Sequence, residues 1–434
     1  MLNLIGVIIA FITVILLIRK KFNFGLSLIL GSVILGVFSL QEINLGDIPK
    51  AMIEAVFYHF GDQPLEAIIY SFNLRQVYTE TIELALLLFI IYMLAKAMQE
   101  TGAITKLIQS LRTVFSRGGT LGAIPAVYGL MPVPGGALFS APMIDEEGDK
   151  YKLDKNQKNF LNIWFRHIWF LIYPISSAMI LLCSTQMFNI NIYHLILVQI
   201  PPFFLMIVIG LFSIKRFTSQ NVQKNNQVEK RRDYSGFIYL LPPLIPLPIS
   251  FILMPLGLTQ VRSFLIGVII SIPLVFLLTK TPTKKYVDII KKGLSWKLPL
   301  AIFGIMIFRE MFTVSKIDVF IGDMVQDIPI PALIFFVVIP LFFGVVMGYN
   351  LGAIGVSFPI IYAFLPLFND VNMVALASIM YVSSLVGYLI SPLHLCVVVS
   401  SEYLKTEFTG MYKMLVPAAL LLLLANTVVM LFIM

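Results

Sequence analysis

The sequence is poor in charge and in the side chains that enzymes most often use. Only 12% of its 434 residues are charged and 59% are hydrophobic, and the chain has 4 histidines and 2 cysteines. Globular domains carry about 25% charged residues, so a soluble domain of this composition would expose too much apolar surface. Cys183 and Cys396 both lie in apolar segments, an arrangement that argues against a disulfide framework and against a metal site.

Enzymatic motifs are also missing from the sequence. It contains no phosphate loop, no HExxH motif and no dinucleotide fingerprint. The apolar segments contain no acid–base pair of the kind that marks an intramembrane catalytic site. We therefore expect a protein that is not an enzyme and has no cofactor. Na⁺ is a possible coupling ion.

Long apolar runs are the dominant feature of the chain. Several approach or exceed the roughly 20 residues that span a bilayer. The sequence therefore predicts an all-α polytopic membrane protein in a lipid bilayer. The formal net charge of +8 does not indicate nucleic-acid binding, because the basic residues gather in loops, where they set membrane orientation.

Charge predicts the topology. Basic residues concentrate at 19–21, 214–234 and 280–297, which the positive-inside rule places in the cytoplasm, whereas the acidic segment 41–80 is expected outside. The apolar N-terminal stretch lacks a basic start and a cleavage site, so it is read as a first transmembrane helix and not as a signal peptide. The N-terminus is therefore expected outside an inner membrane.

Residues 119–144 contain three prolines and two glycines within "LMPVPGGALFSAP" (130–142). Proline removes a backbone donor and glycine weakens a helix. The later basic loops lie in the cytoplasm, as the positive-inside rule requires, only if 119–144 enters the membrane and turns back. This charge pattern predicts a re-entrant hairpin. Such backbone is tolerated at membrane depth when protein buries it or a cavity adjoins it. A kinked ordinary span is the alternative.

The second half of the chain resembles the first. "PAVYGLMPVPGGALFSAPMI" (125–144) aligns with "PLFFGVVMGYNLGAIGVSFPII" (340–361), and "RHIWFLIYP" (166–174) aligns with "SLVGYLISP" (384–392). The charge pattern gives the halves opposite orientations, as in inverted-repeat transporters. Chance similarity between apolar helices is the alternative. The predicted units are an N-terminal part (1–80), repeat 1 (81–214, hairpin 119–144, broken helix 159–183), a cytoplasmic loop (215–235), a linking helix pair (236–296) and repeat 2 (297–434, hairpin 330–366, broken helix 373–400).

The two hairpin tips and the two broken helices are the predicted binding site, because interrupted helices free backbone groups for ligands. Arg166 is the candidate to neutralise a carboxylate, with a surface arginine reaching lipid headgroups as the alternative. His167 is a candidate for gating or proton transfer, unless a backbone carbonyl satisfies it. The predicted substrate-binding residues are Pro132, Pro134, Gly135, Gly136, Ser140, Arg166, His167, Asn350, Gly352, Ser391 and His394.

Small and hydroxyl residues also suit a cation. The predicted ion-binding residues are Gly135, Asn350, Ser384, Gly387 and Ser391. Two structural alternatives remain open for such residues. Serine hydroxyls often bond back to their own helix, and small residues often serve close helix packing.

The motifs "MPVPGGALFSAP", "WFRHIW" and "GYLISPLHLC" resemble those of an uncharacterised family of prokaryotic integral membrane proteins within the ion transporter superfamily. Relatives in that superfamily include gluconate permeases, citrate and dicarboxylate carriers, and the large membrane subunit of TRAP transporters. The resemblance implies an inverted-repeat fold, a possible homodimer and elevator-like movement. Studied relatives have Ser-Asn-Thr at the hairpin tips, whereas this chain has Pro-Gly-Gly-Ala and Tyr-Asn-Leu-Gly. Asn350 is therefore the one tip residue that matches the polar side chains of the relatives.

These observations together predict a secondary active transporter of a small, carboxylate-type anion, coupled to Na⁺ or H⁺. A membrane subunit of a multi-component transporter and an ion channel are the alternatives. A channel would need a continuous polar pore in place of two opposed tips.

Overall fold

The computed structural model describes residues 2–57, 80–115, 118–130, 136–219, 232–326, 331–368 and 370–434. All regular elements within these ranges are helices, which confirms the predicted all-α class. Seven of the described helices are long and apolar enough to cross a bilayer. They are Leu2–Arg19, Thr81–Glu100, Ile192–Ser219, Ser235–Leu253, Gln260–Thr279, Met373–Leu404 and Thr409–Ile433.

Several of these helices expose apolar side chains. Along Ile192–Ser219, Leu197 is 61% exposed, Phe204 58% and Phe212 65%. Apolar patches of this kind are unfavourable in water and favourable against lipid tails. The chain is therefore a multi-pass membrane protein whose outer faces contact lipid.

Further helices lie between these spans along the chain, including a bent pair that could form an eighth span. They are Phe24–Phe38, Asp47–Glu54, Ala103–Val114, Thr283–Gly293, Lys297–Val314 and Ile317–Gln326. Phe24–Phe38 packs on both Leu2–Arg19 and Lys297–Val314. The last two helices of the list meet at a bend of 65°.

Two pairs of short helices occupy the predicted hairpins. The first helix pair is Gly119–Gly129 with Ala137–Asp149, and the second helix pair is Leu333–Met347 with Asn350–Tyr362. Within each pair the two helices contact one another. The first pair continues five residues beyond the expected end at 144. Whether the pairs re-enter the membrane stays a prediction, as does the inverted relation of the repeats.

Two interrupted segments occupy the predicted broken helices. The first broken segment comprises Lys155–Arg166, the 3₁₀ turn Ile168–Leu171 and Ser177–Cys183. The second broken segment comprises Met373–Ile390 and Leu395–Leu404. Pro174 and Pro392 lie in the two interruptions, where their missing N–H groups oppose a continuous helix.

Side-chain caps begin both broken segments. Asp154 accepts from the Gln157 N–H at 2.9 Å, and the Gln157 side chain accepts from the Asp154 N–H at 3.1 Å, which makes a capping box. Asn372 caps the second segment through the Val374 N–H at 3.0 Å. Side chains close in sequence therefore determine where both broken segments begin.

Lys158 connects the first helix pair to the first broken segment. Its side chain is 4% exposed, and its Nζ lies 2.6 Å from a carboxylate oxygen of Asp145 and 2.6 Å from one of Asp149. A buried ammonium is costly unless it is paired. The acidic end of the first pair is therefore held against the start of the segment that carries Arg166.

Candidate functional site

The first helix pair packs against the interruption of the first broken segment. Arg166 ends Lys155–Arg166 and is 4% exposed. A Cβ atom at Gly136 would overlap the Arg166 guanidinium, and a Cβ at Gly129 would overlap the Arg166 carbonyl oxygen. The approach at Gly129 involves the Arg166 backbone and requires glycine, whereas the approach at Gly136 involves the movable end of the Arg166 side chain. The guanidinium therefore lies inside the protein against the start of Ala137–Asp149, and not at the lipid headgroups.

The second helix pair packs against the interruption of the second broken segment in a similar way. Gly348 has φ of +60°, and a Cβ there would overlap the backbone at Leu393. The left-handed conformation and the close approach both favour glycine at this position. The Ser391 hydroxyl donates to the Val345 carbonyl at 2.5 Å. The turn between the helices of this pair is thereby held on residues 391–394.

The two interruptions meet in the interior. The rings of His167 and His394 have centroids 4.8 Å apart, and the Tyr388 ring lies 3.8 Å from that of His394. His167 and His394 are 1% and 0% exposed. The structure therefore brings the described parts of the four predicted site segments into one connected cluster.

Asn350 and Ser384 form a buried pair between the second helix pair and the second broken segment. The Ser384 hydroxyl donates to the Asn350 side-chain oxygen at 2.6 Å. The Asn350 Nδ2 atom has no hydrogen-bond partner among the described residues, although Asn350 is only 3% exposed. This orientation presents a hydrogen-bond donor, so it suits an anion or a carbonyl group better than a cation.

Ser140 belongs to a second polar cluster, centred on Asn162. The Ser140 hydroxyl donates to Asn162 Oδ1 at 2.5 Å, and Asn162 Nδ2 donates to the Ser400 hydroxyl at 2.8 Å and the Ala137 carbonyl at 3.2 Å. All three side chains are fully buried. The cluster joins the first helix pair to both broken segments.

Other predicted residues lie in packing positions. A Cβ at Gly352 would contact the Phe24 ring, and a Cβ at Gly387 would overlap the Leu341 carbonyl oxygen. Ser384 lies inside the helix Met373–Ile390, whereas Gly387 lies in its last turn. Their ion-binding role stays a prediction, and the position of Gly387 favours close helix packing.

The proline-rich tip lies outside the described residues. Pro132, Pro134 and Gly135 fall within 131–135, so their predicted roles stay predictions. Gly136 is the first described residue after the tip.

The sequence does not single out three residues that the fold brings into the two clusters: the buried Cys396 and the half-buried Tyr388 beside the histidines, and the buried Asn162 at the centre of the second polar cluster. Two separated cysteines predict no metal framework, so the sequence gives no reason to select Cys396. The signal that was available is its position two residues after His394. Asn162 and Tyr388 carry no local pattern that separates them from ordinary helix residues.

Two described cavities differ in their relation to the cluster. A space of about 40 Å³ adjoins the first interruption and is lined by Gly129, Trp169 and Ser176 among others. A larger space of about 420 Å³ contains none of the predicted site residues and includes Gln157, Arg216 and Lys413 in its lining. The smaller one has room for about one water molecule.

These features define a multi-pass, all-helical membrane protein with interrupted helices that meet in its core. The chain belongs to the protein family described as "Protein of unknown function (DUF401)", whose model matches residues 3–433. A solved structure with a similar fold is the YdaH transporter of Alcanivorax borkumensis, with a TM-score of 0.60 and 13% identity, covering 92% of this chain and 97% of that one. No curated protein matches the chain. Membership of the wider ion transporter superfamily stays a prediction.

Proposed function

We propose that this protein is a secondary active transporter of a small, carboxylate-type anion, coupled to Na⁺ or H⁺. The observation that carries the proposal is the buried guanidinium of Arg166, which lies against Gly136 at the start of Ala137–Asp149. A buried positive charge in a membrane protein usually faces a partner or a substrate path. The planar guanidinium also matches the two oxygens of a carboxylate.

Two further features favour an anion. The Asn350 amide has a donor without a described partner, and Asn350 itself begins the helix Asn350–Tyr362. The helices Ala137–Asp149 and Asn350–Tyr362 both start at a predicted tip, and helix N-termini carry partial positive charge. Interrupted helices of transporters use such ends to bind anionic groups.

Transport requires the protein to open. The 40 Å³ cavity beside the first interruption is far smaller than the roughly 300 Å³ of a small-molecule site. In the proposed mechanism the helix pairs and broken segments move as a bundle past the remaining helices, in the manner of an elevator. Two inverted repeats in an inner membrane, with the N-terminus outside and with dimer formation, complete the proposal.

Ligand-dependent thermal stability tests this function. The purified protein is heated with citrate, succinate, gluconate, sulfate or phosphate, each in Na⁺ or K⁺ and at two pH values. A ligand that binds the folded state raises the melting temperature. We expect a rise with at least one carboxylate in the wild type and its loss in Arg166→Ala.

The matched control is Arg309→Gln, which removes a half-buried arginine elsewhere in the fold, whose Nη1 donates to Gln186 at 2.8 Å. It should keep the ligand-dependent rise. A rise that needs Na⁺ would identify sodium coupling, and one that depends on pH alone would identify proton coupling. The anion proposal fails if no anion raises the melting temperature, and the role of Arg166 fails if Arg166→Ala retains the rise.

A further inference from the structure

Three metal-ligating side chains converge where the two broken segments meet. His167 lies at the first interruption, and His394 and Cys396 lie at the second. One ligand atom from each of the three side chains lies within 4.8 Å of the other two, and all three residues are buried. The fold therefore assembles a His–His–Cys set from distant parts of the chain.

The His167 ring is oriented as a metal ligand would be. Its Nδ1 atom lies 2.7 Å from the Ile163 carbonyl oxygen. A carbonyl only accepts hydrogen bonds, so Nδ1 carries the proton and the Nε2 lone pair is free in the neutral ring. Metal-binding histidines are commonly fixed by this kind of second hydrogen bond.

The His394 ring lacks the partners that a buried imidazole normally has. Among the described residues no hydrogen bond of good geometry reaches either of its nitrogens, although Cys396 and the Leu389 backbone lie close to the ring, and the residue is 0% exposed. Leaving buried polar atoms unsatisfied costs about 1–3 kcal/mol each. A coordinated ion would supply the missing interaction for one nitrogen.

We propose that His167, His394 and Cys396 bind a transition-metal ion of the soft or borderline class, Zn²⁺ or Cu⁺. Imidazole and thiolate ligands favour these ions, whereas Na⁺, Mg²⁺ and Ca²⁺ favour oxygen ligands. The three side chains offer nitrogen and sulfur ligands and no oxygen ligand. Binding converts the Cys396 thiol to a thiolate and releases one proton to solvent.

The geometry needs only a small contraction. The bond lengths of a tetrahedral zinc site place its nitrogen and sulfur ligands roughly 3.5 Å apart, compared with separations of up to 4.8 Å here. Three protein ligands leave the fourth position open. The ion would fasten the two interruptions to one another, so its binding would stabilise this arrangement of the broken segments whatever solute the protein carries.

Direct metal binding tests the proposal. The full-length protein in detergent is washed with a chelator and titrated with Zn²⁺, or with Cu⁺ without oxygen, and bound metal is counted by mass spectrometry. Co²⁺ serves as an optical probe, because a thiolate ligand gives a charge-transfer band. We expect about one ion per chain, a higher melting temperature and the cobalt–thiolate band.

Matched variants assign the ligands. Cys396→Ser and His394→Gln should weaken metal binding at least tenfold, by analogy with the 10–100-fold cost of losing even an outer-shell partner, and Cys396→Ser should abolish the cobalt–thiolate band. Cys183→Ser, at the other buried cysteine, and His194→Gln, at an exposed histidine, should leave binding unchanged.

The titration of the wild-type protein tests the proposal even if a ligand variant fails to fold. The proposal is overturned if the wild type binds no ion at this stoichiometry, or if folded Cys396→Ser binds metal as the wild type does. It is equally overturned if Cys183→Ser loses the cobalt band. Because the titration measures metal binding and not the binding of a carboxylate, a negative result here leaves the transport function untouched.

Discussion

The ring of His167 lies against the ring of His394, with centroids 4.8 Å apart. This contact joins the interruptions of the two broken segments. Through Arg166 on one side and Gly348 on the other, both helix pairs reach the same region. Described residues of both pairs therefore lie close to this histidine contact.

Two glycines next to Arg166 should behave differently when they are replaced by alanine. At Gly136 the added Cβ meets the movable end of the Arg166 side chain, whereas at Gly129 it meets the Arg166 backbone. We expect Gly136→Ala to fold and to lose the anion-dependent rise in melting temperature. Gly129→Ala should lower the melting temperature of the ligand-free protein. Equal melting temperatures of the two ligand-free variants would contradict this distinction.

Ser384 should matter more than its neighbour Ser383. The Ser384 hydroxyl donates to Asn350 at 2.6 Å, whereas the Ser383 hydroxyl donates to Ile379 within its own helix at 2.7 Å. Ser384→Ala leaves the buried Asn350 oxygen without this donor, at a cost of about 1–3 kcal/mol, and frees the amide to rotate. Denaturant unfolding should show this loss, with Ser383→Ala near the wild type as the control. A loss of equal size in both variants would count against the pairing.

Asn162 should be energetically coupled to Ser140. Their side chains meet at 2.5 Å in the buried interior, and Asn162 also donates to Ser400. Contacting residues in one hydrogen-bond network show interaction energies of about 0.5–3 kcal/mol in double-mutant cycles. The cycle Ser140→Ala with Asn162→Ala should fall in this range. Ser140→Ala combined with Ser378→Ala, whose hydroxyl bonds Asn426 elsewhere, should be additive.

The proposed orientation can be tested by labelling introduced cysteines. Cys183 and Cys396 are 3% and 4% exposed, so the background should be low. In intact cells, an impermeant thiol reagent should label Lys50→Cys, which lies in the segment 41–80 that is expected outside. It should label Lys285→Cys only after the membrane is opened. Labelling of Lys285→Cys from outside would reject the proposed topology, because 280–297 is one of its basic anchors.

Much of the fold was predictable because membrane helices follow local rules. Apolar runs gave the spans, and proline and glycine marked the interruptions at Pro174 and Pro392. The ends were less certain, as the extension of the first helix pair to Asp149 illustrates, since polar residues near a helix end are compatible with helix or loop.

The candidate site was predictable only in part. Arg166, His167, Asn350 and His394 stood out because polar groups in apolar segments are costly. The Asn350 donor that remains after pairing with Ser384 depends on side-chain orientation, which no sequence pattern encodes. The Ser357 hydroxyl donates to the Ala353 carbonyl at 2.5 Å, which is the bond back to its own helix that serine often makes.

The sequence by itself determined the class of protein, since a chain so rich in apolar runs and so poor in charge is stable only in lipid. It also determined where helices start and break, because caps, prolines and glycines act over a few residues. The tertiary structure alone decided which buried groups meet. Cys396 contributes to the His167–His394 cluster because two distant interruptions pack together, and such contacts depend on the three-dimensional arrangement of the helices.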